Sequence, residues 1–274
     1  MYKTLNFNNY YNKNTMTQDE MVGMGLSDKS FFRQMLPIVK KSKQPSYNFL
    51  ITLTSHYPYN IKKESLDPDF SVADLDGTPL GKYILAIHYA DKALGEFIEN
   101  LRKEGILDNT LLAIYGDHYA IPIDQQNELM DFLKIKDKNS YNWILHQKIP
   151  LYIRIPGVPA KTWHIAGGGV DLMPTLMNLL GIDTSSATMF GRDLMNAKDG
   201  YSIMRFGTFR KNDVLFNISA KKAYQVPTGE TLDFSKYSSD VDYVKKSLAY
   251  SDLIIENNLV KKVVERITEL KSKK

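Results

Sequence analysis

Apolar residues recur along this chain in two rhythms. Between Lys82 and Glu104 the positions Ile84, Ile87, Ala90, Leu94, Phe97, Ile98 and Leu101 fall three or four residues apart, which predicts a helix with one apolar stripe. Gly105 stands where the helix should close. Phe31, Phe32, Met35, Leu36 and Val39 repeat the spacing after Ser27 or Asp28 as N-cap. Pro37 should kink or shorten that helix, which must end before Pro45. Val170–Leu180, with Pro174 near its start and Gly181 after it, and Asp240–Ile255 read as further helices. Shorter helical pieces are expected near Thr17–Val22 and Gln125–Lys134, and the Lys-rich tail should fray.

The second rhythm is the short apolar run bounded by turn residues. Tyr47–Thr54, Leu111–Tyr115 and Leu151–Ile155 read in this way as buried strands. From about residue 200 the runs shorten, and Ile203–Phe206, Asp213–Ser219 and Lys222–Gln225 suggest a small antiparallel sheet. Helices alternating with buried strands predict an α/β fold with a largely parallel sheet flanked by helices over 1–200. A small α+β subdomain of antiparallel sheet and terminal helix over 201–274 is expected to pack on it.

Composition narrows the function. The 274 residues carry a net charge of +4, concentrated in Lys40–Lys43 and Lys261–Lys274. That mild excess suits an anionic surface or plain solubility, and neither a dense basic stripe nor a nucleic-acid motif is present. With no cysteine, disulfide scaffolds, cysteine-rich zinc sites and thiol nucleophiles are excluded. No run is long and apolar enough to span a membrane, and Met1–Asn14 is too polar for a signal peptide.

The candidate chemistry sits at strand ends. Gly116-Asp117-His118 follows Leu111–Tyr115, and ligands bind at the carboxyl edge of open α/β sheets. One carboxylate and one imidazole side by side suit Mn²⁺ or Zn²⁺; the competing reading has Asp117 capping a loop and His118 packing locally. His56, after Tyr47–Thr54, either bonds a phosphate oxygen or stacks between Tyr57 and Tyr59. Thr54 and Ser55 carry hydroxyls beside it, with nothing in their spacing to mark a nucleophile. His88 reads as structural, His146 and His164 as surface, and Gly167-Gly168-Gly169 as an anion-binding helix start or a packing device. A catalytic metal usually has about three protein ligands, and only Asp117 and His118 are credible here.

Several ordered segments together resemble the extracellular catalytic domain of lipoteichoic acid synthases, in the alkaline phosphatase and sulfatase superfamily. They are MYKTLNF (1–7), GMGLSDKSFF (23–32), FLITLTSHYPY (49–59), HYADKALGEFIENLRKEG (88–105), IYGDHYAI (114–121), IPLYIRIPG (149–157) and GGGVDLMPTLMNLLGID (167–183). The resemblance implies a metal-dependent phosphoglycerol transferase. Such an enzyme moves glycerol phosphate from phosphatidylglycerol to a growing polymer through a covalent threonine intermediate. It implies Mn²⁺, ahead of Mg²⁺ or Zn²⁺, held by Asp117 and His118, with His56 on the substrate phosphate.

In the family pattern the nucleophilic threonine, a glutamate ligand and membrane helices all precede the MYK-like segment. The resemblance therefore implies a C-terminal portion whose sheet is incomplete, with a complementing N-terminal fragment as a partner. Its expected setting is the outer face of the cytoplasmic membrane or the cell-wall side. Another sulfatase, phosphatase or phosphoethanolamine transferase of the superfamily, or a non-catalytic polymer-binding module, remain as rival readings.

Overall fold

The N-terminal core grows from two helices. The first, α1 (Asp28–Lys41), opens at Ser27, whose side chain accepts the N–H of Ser30, and runs past Pro37 without being shortened. The second, α2 (Pro79–Lys103), has Thr78 as N-cap and Pro79 in its first turn, and is closed by Gly105 at a φ of 68°. Their apolar stripes meet where Phe32 stacks on Phe97, ring centroids 4.5 Å apart, among buried Ala93, Leu101 and Leu107. Each such side chain removed from water contributes about 1.5–3 kcal/mol.

The computed structural model describes residues 7–62, 65, 67–185, 187 and 189–272. Residues 1–6 of the MYKTLNF segment thus lie outside the described residues. The chain divides into two compact units, Met1–Ala160 and Lys161–Lys274. The change of texture near residue 200 coincides with the first strand of a sheet inside the second unit. Among the described residues no helix is long and apolar enough to cross a membrane.

In the first unit β1 (Met21–Val22) and β2 (Gly25–Leu26) form a hairpin where a helical turn is expected near Thr17–Val22. Gly23, at a φ of 64°, supplies the left-handed residue a two-residue loop needs, and the tight reversal overrides helical propensity. Next, β3 (Leu112–Tyr115) pairs with β4 (Leu151–Arg154), Leu112 opposite Arg154 and Tyr115 opposite Leu151. The α/β class holds, but this pair is antiparallel where parallel pairing is expected. Two helices lie between the strands, α3 (Gln126–Phe132) and α4 (Ser140–Leu145). The second is missing from the sequence reading because its apolar positions, buried Tyr141 and Trp143 among them, span under two turns. Residues 47–53 form no regular element and join no ladder among the described residues, Thr54 begins a turn, and Tyr47, Phe49, Ile51 and Leu53 are exposed.

In the second unit α5 (Leu172–Leu179) follows a 3₁₀ turn over Gly169–Asp171. Five strands then form an antiparallel sheet in chain order: β5 (Tyr201–Ile203), β6 (Thr208–Lys211), β7 (Val214–Asn217), β8 (Lys222–Gln225) and β9 (Thr231–Leu232). The register aligns Phe209, Phe216 and Ala223 across neighbouring strands, and Val241 and Val244 of α6 (Ser238–Glu256) cover that row. The tail expected to fray continues as α7 (Leu259–Ser272), with Lys261–Glu265 and Arg266–Glu269 pairs along its surface.

Candidate active site

The first element of the site is the end of β3. Gly116 continues the ladder by donating its N–H to the carbonyl of Pro150 at 3.1 Å. A Cβ at Gly116 would lie 3.3 Å from the Ile149 Cβ, so the close approach of the two strands favours glycine. The chain then delivers Asp117 and His118 to solvent, their side chains 77% and 57% exposed. His118 Nδ1 lies 2.7 Å from the carbonyl oxygen of Tyr119. A carbonyl only accepts, so Nδ1 is the donor, and Nε2 is left outside this contact. Asp117 Oδ1 is 3.7 Å from that Nε2, beyond a direct hydrogen bond. Carboxylate and imidazole are thus disposed to meet a third group rather than each other.

The second element is the turn after Tyr47–Thr54. His56 donates its N–H to the Leu53 carbonyl at 3.0 Å, and its Nδ1 lies 2.7 Å from the Tyr57 carbonyl oxygen. The His118 arrangement is repeated: Nδ1 protonated, Nε2 open. The two imidazoles stand edge to face with centroids 5.8 Å apart, so two segments more than 60 residues apart in sequence converge. Tyr59 joins them, donating its hydroxyl to the carbonyl of Ala120. Tyr59 is 2% exposed, and burial pushes its phenol up to about 12, so it stays a donor at neutral pH. Its φ of 59° is unusual for an aromatic residue and is held by this packing.

All three residues singled out from sequence, His56, Asp117 and His118, therefore meet at one place. Among the described residues no three His, Asp or Glu side chains converge closely enough to hold a metal ion, so Asp117 and His118 make at most two of its ligands. Thr54 is no nucleophile in this arrangement: it is fully buried and its hydroxyl oxygen accepts the N–H of Asp28 at 2.9 Å. His88 stacks on Phe70 at 3.8 Å and lies 3.3 Å from Asp67, so it serves structure as expected. Lys92, Asp69 and His88 hold the Asp67 carboxyl well below the usual carboxylate range.

In the second unit, the glycine run before α5 is tied from within, Asp171 accepting the Gly168 N–H at 2.8 Å. A Cβ on Gly167 would come within 2.9 Å of the Leu194 side-chain end, which would have to shift. Sequence reasoning missed Asp28 and Tyr59. An acid at the start of a helix and an aromatic after a proline were the local signals, and neither names its distant partner.

Comparison with known proteins gives the family of the chain. The Sulfatase family model matches residues 1–182. Lipoteichoic acid synthase 1 of Bacillus subtilis (strain 168) is 31% identical over 267 residues, 95% of this chain and 41% of the relative. Lipoteichoic acid synthase of Staphylococcus aureus (strain USA300) is 32% identical over 265 residues, 94% of this chain and 40% of the relative. The crystal structure of the lipoteichoic acid synthase LtaP from Listeria monocytogenes superposes with a TM-score of 0.80 at 30% identity, covering 93% of this chain and 66% of that one. A protein of the alkaline phosphatase superfamily from Vibrio parahaemolyticus shares the fold at a TM-score of 0.63 and 20% identity. The chain spans about two fifths of the length of the curated relatives it matches. It belongs to the sulfatase family and is similar to lipoteichoic acid synthases over most of its length.

Proposed function

We propose that this chain supplies the metal-binding and phosphate-contacting part of a phosphoglycerol transferase active site. In this reading Asp117 and His118 hold a divalent cation and His56 contacts the phosphate of the substrate. The observation that carries it is the convergence of two strand-end loops, each presenting an imidazole whose Nδ1 is fixed by the next carbonyl. Metal-ligating histidines are oriented by such a second hydrogen bond, which selects the tautomer and directs Nε2. One carboxylate oxygen and one imidazole nitrogen suit Mn²⁺ better than Mg²⁺, which prefers an all-oxygen shell, and Zn²⁺ is a lesser candidate. When bound, such an ion neutralises charge on phosphate oxygens and lowers the pKa of a nucleophilic hydroxyl.

The chain's own residues then divide the work. Asp117 and His118 orient the phosphate-binding centre through their fixed positions at the end of β3. His56, with Nδ1 held, has Nε2 to bond a phosphate oxygen, or to donate a proton there once protonated. Because two protein ligands fall short of a catalytic set, the third ligand and the nucleophilic threonine belong, in this reading, to polypeptide outside 1–274. The substrates are phosphatidylglycerol and a glycerol phosphate polymer, and the site of action is the outer face of the cytoplasmic membrane or the cell-wall side. No nucleic acid is involved. The 201–274 region is the small subdomain that accompanies the catalytic fold.

Mn²⁺ titration followed by electron paramagnetic resonance tests this. The chain is expected to bind Mn²⁺ weakly, and Asp117→Ala to reduce that binding by at least about tenfold, since losing even an outer-shell partner typically costs 10–100-fold. Equal binding by the chain and by Asp117→Ala would remove Asp117 from the site.

A further inference from the structure

We infer that Asp28 is the positioning residue of the His56 turn: its carboxylate at the start of α1 sets where the His56 imidazole stands against His118. The significance of that imidazole rests on the function proposed above; the geometry does not. Asp28 is 1% exposed, and its Oδ1 accepts the N–H of Leu53 at 3.0 Å and of Thr54 at 3.1 Å. In return the fully buried Thr54 hydroxyl oxygen accepts the N–H of Asp28 at 2.9 Å. The carbonyl of Leu53 then takes the His56 N–H at 3.0 Å, so the turn bearing the imidazole starts at a residue Asp28 holds. On its far side Tyr59 ties the same turn to Ala120, two residues beyond His118. The Asp28 clamp joins the turn to α1 by hydrogen bonds, while Tyr59 packs on Tyr83 of α2 with ring centroids 5.2 Å apart.

A role for Asp28 in helix capping alone does not account for this. Ser27 already caps α1, accepting the N–H of Ser30 at 3.0 Å. A charge favourable to the helix dipole would serve as well in water. Instead the carboxyl is buried, its Oδ2 has no hydrogen-bond partner among the described residues, and burial pushes its pKa up. A buried oxygen left unpartnered is destabilising by itself, and such groups mark places where position matters more than stability. The β1–β2 hairpin completes the seat: a Cβ on Gly25 would come within 3.1 Å of the Leu53 side chain.

Histidine side-chain NMR on the whole chain, without ligand, tests the inference. The unaltered chain should show cross-relaxation between the His56 and His118 rings and a protonated Nδ1 on both. In Asp28→Ala we expect the cross-peak and the fixed His56 Nδ1–H to be lost, while His118, bonded to Tyr119, keeps its own. Asp28→Asn retains an oxygen able to accept both N–H groups and should restore the peak; a dipole or charge effect would not be rescued by a neutral amide. Thr54→Val removes only the reciprocal bond and should weaken the peak, which keeps the test decisive if Asp28→Ala does not fold. Persistence of the peak in folded Asp28→Ala, an unchanged peak in Thr54→Val, or failure of Asp28→Asn to restore it would each overturn the inference.

Glycerol 3-phosphate, added last, separates the two claims. A shift of the His56 ring that needs more ligand in Asp28→Ala supports both. No shift in the unaltered chain would withdraw the phosphate role of His56, while the ring geometry still decides the role of Asp28.

Discussion

In the five-stranded sheet, Phe209, Phe216 and Ala223 lie side by side on three neighbouring strands, almost wholly buried beneath Val241 and Val244 of α6. In the segment Tyr47–Thr54, at least as apolar in sequence, Tyr47, Phe49, Ile51 and Leu53 face solvent and no ladder forms among the described residues. The β3–β4 pair stands with that segment, since Tyr115, Leu151 and Tyr152 are exposed. A strand needs hydrogen-bond partners along its edges and cover for at least one face. The sheet of the second unit finds both within a short stretch of chain, through tight antiparallel turns and one following helix. In the described part of 1–160, Tyr47–Thr54 joins no ladder, and β3 and β4 pair with each other but leave Tyr115, Leu151 and Tyr152 uncovered. An apolar β-prone run therefore reports that burial is wanted; it does not say which polypeptide provides it.

That contrast can be broken most directly at Phe216. Phe216→Ala should destabilise the second unit by about 3–5 kcal/mol, read as a fall in the denaturation midpoint of its transition. A loss below about 1 kcal/mol would mean the sheet is no better packed than the exposed strands. Next in size is Tyr59→Phe, which leaves the Ala120 carbonyl without its donor and should cost about 1 kcal/mol in the first unit. The same residue carries a pH signature, set first by the burial of its phenol. Because the folded-state pKa of Tyr59 is raised from 10.0 to about 12, its contribution is complete below pH 10.0 and fades as pH rises through the folded value. Alkaline denaturation of Tyr59→Phe should lack that component.

Asp67 gives the opposite sign. Its folded-state pKa is depressed below the ordinary 3.8, so its ties to Lys92 and His88 are intact above that pH and weaken as pH falls further. Hydrogen exchange in residues 67–75 should speed up under acid in the unaltered chain, and Asp67→Asn should already show the faster exchange at neutral pH. The smallest effect is expected where the contrast is sharpest. Phe49→Ser replaces an exposed side chain and should change stability by no more than about 0.5 kcal/mol while improving solubility. A loss as large as that at Phe216 would show that the segment is covered in solution.

Much of the first unit was legible in the pattern. The three- and four-residue spacing from Lys82 to Glu104 and the glycine after it predict α2 and its closure, because a helix must turn one stripe inward and needs a left-handed residue to stop. The strand ends at Tyr115 and Thr54 pointed to Asp117, His118 and His56, which do converge. Strand partners were not legible. Periodicity states which side of a strand is apolar, not its direction or its neighbour, so the antiparallel union of β3 and β4, and a segment 47–53 that joins no ladder among the described residues, emerge only in three dimensions.

The chain's own order of residues determined α1, α2, α5 and α6, the caps of the first two, the region of the small antiparallel sheet and the candidate residues His56, Asp117 and His118. These depend on interactions a few residues long, or on tight turns that leave strands little choice of partner. Only the tertiary structure decided that Asp28 reaches Leu53 and Thr54 across 25 residues of sequence, that Tyr59 ties its loop to Ala120, and that two imidazoles meet. Such contacts are chosen by the burial of α1 against α2 and by where each strand ends. No local pattern of apolar and polar positions encodes the distance between two points that only packing brings together.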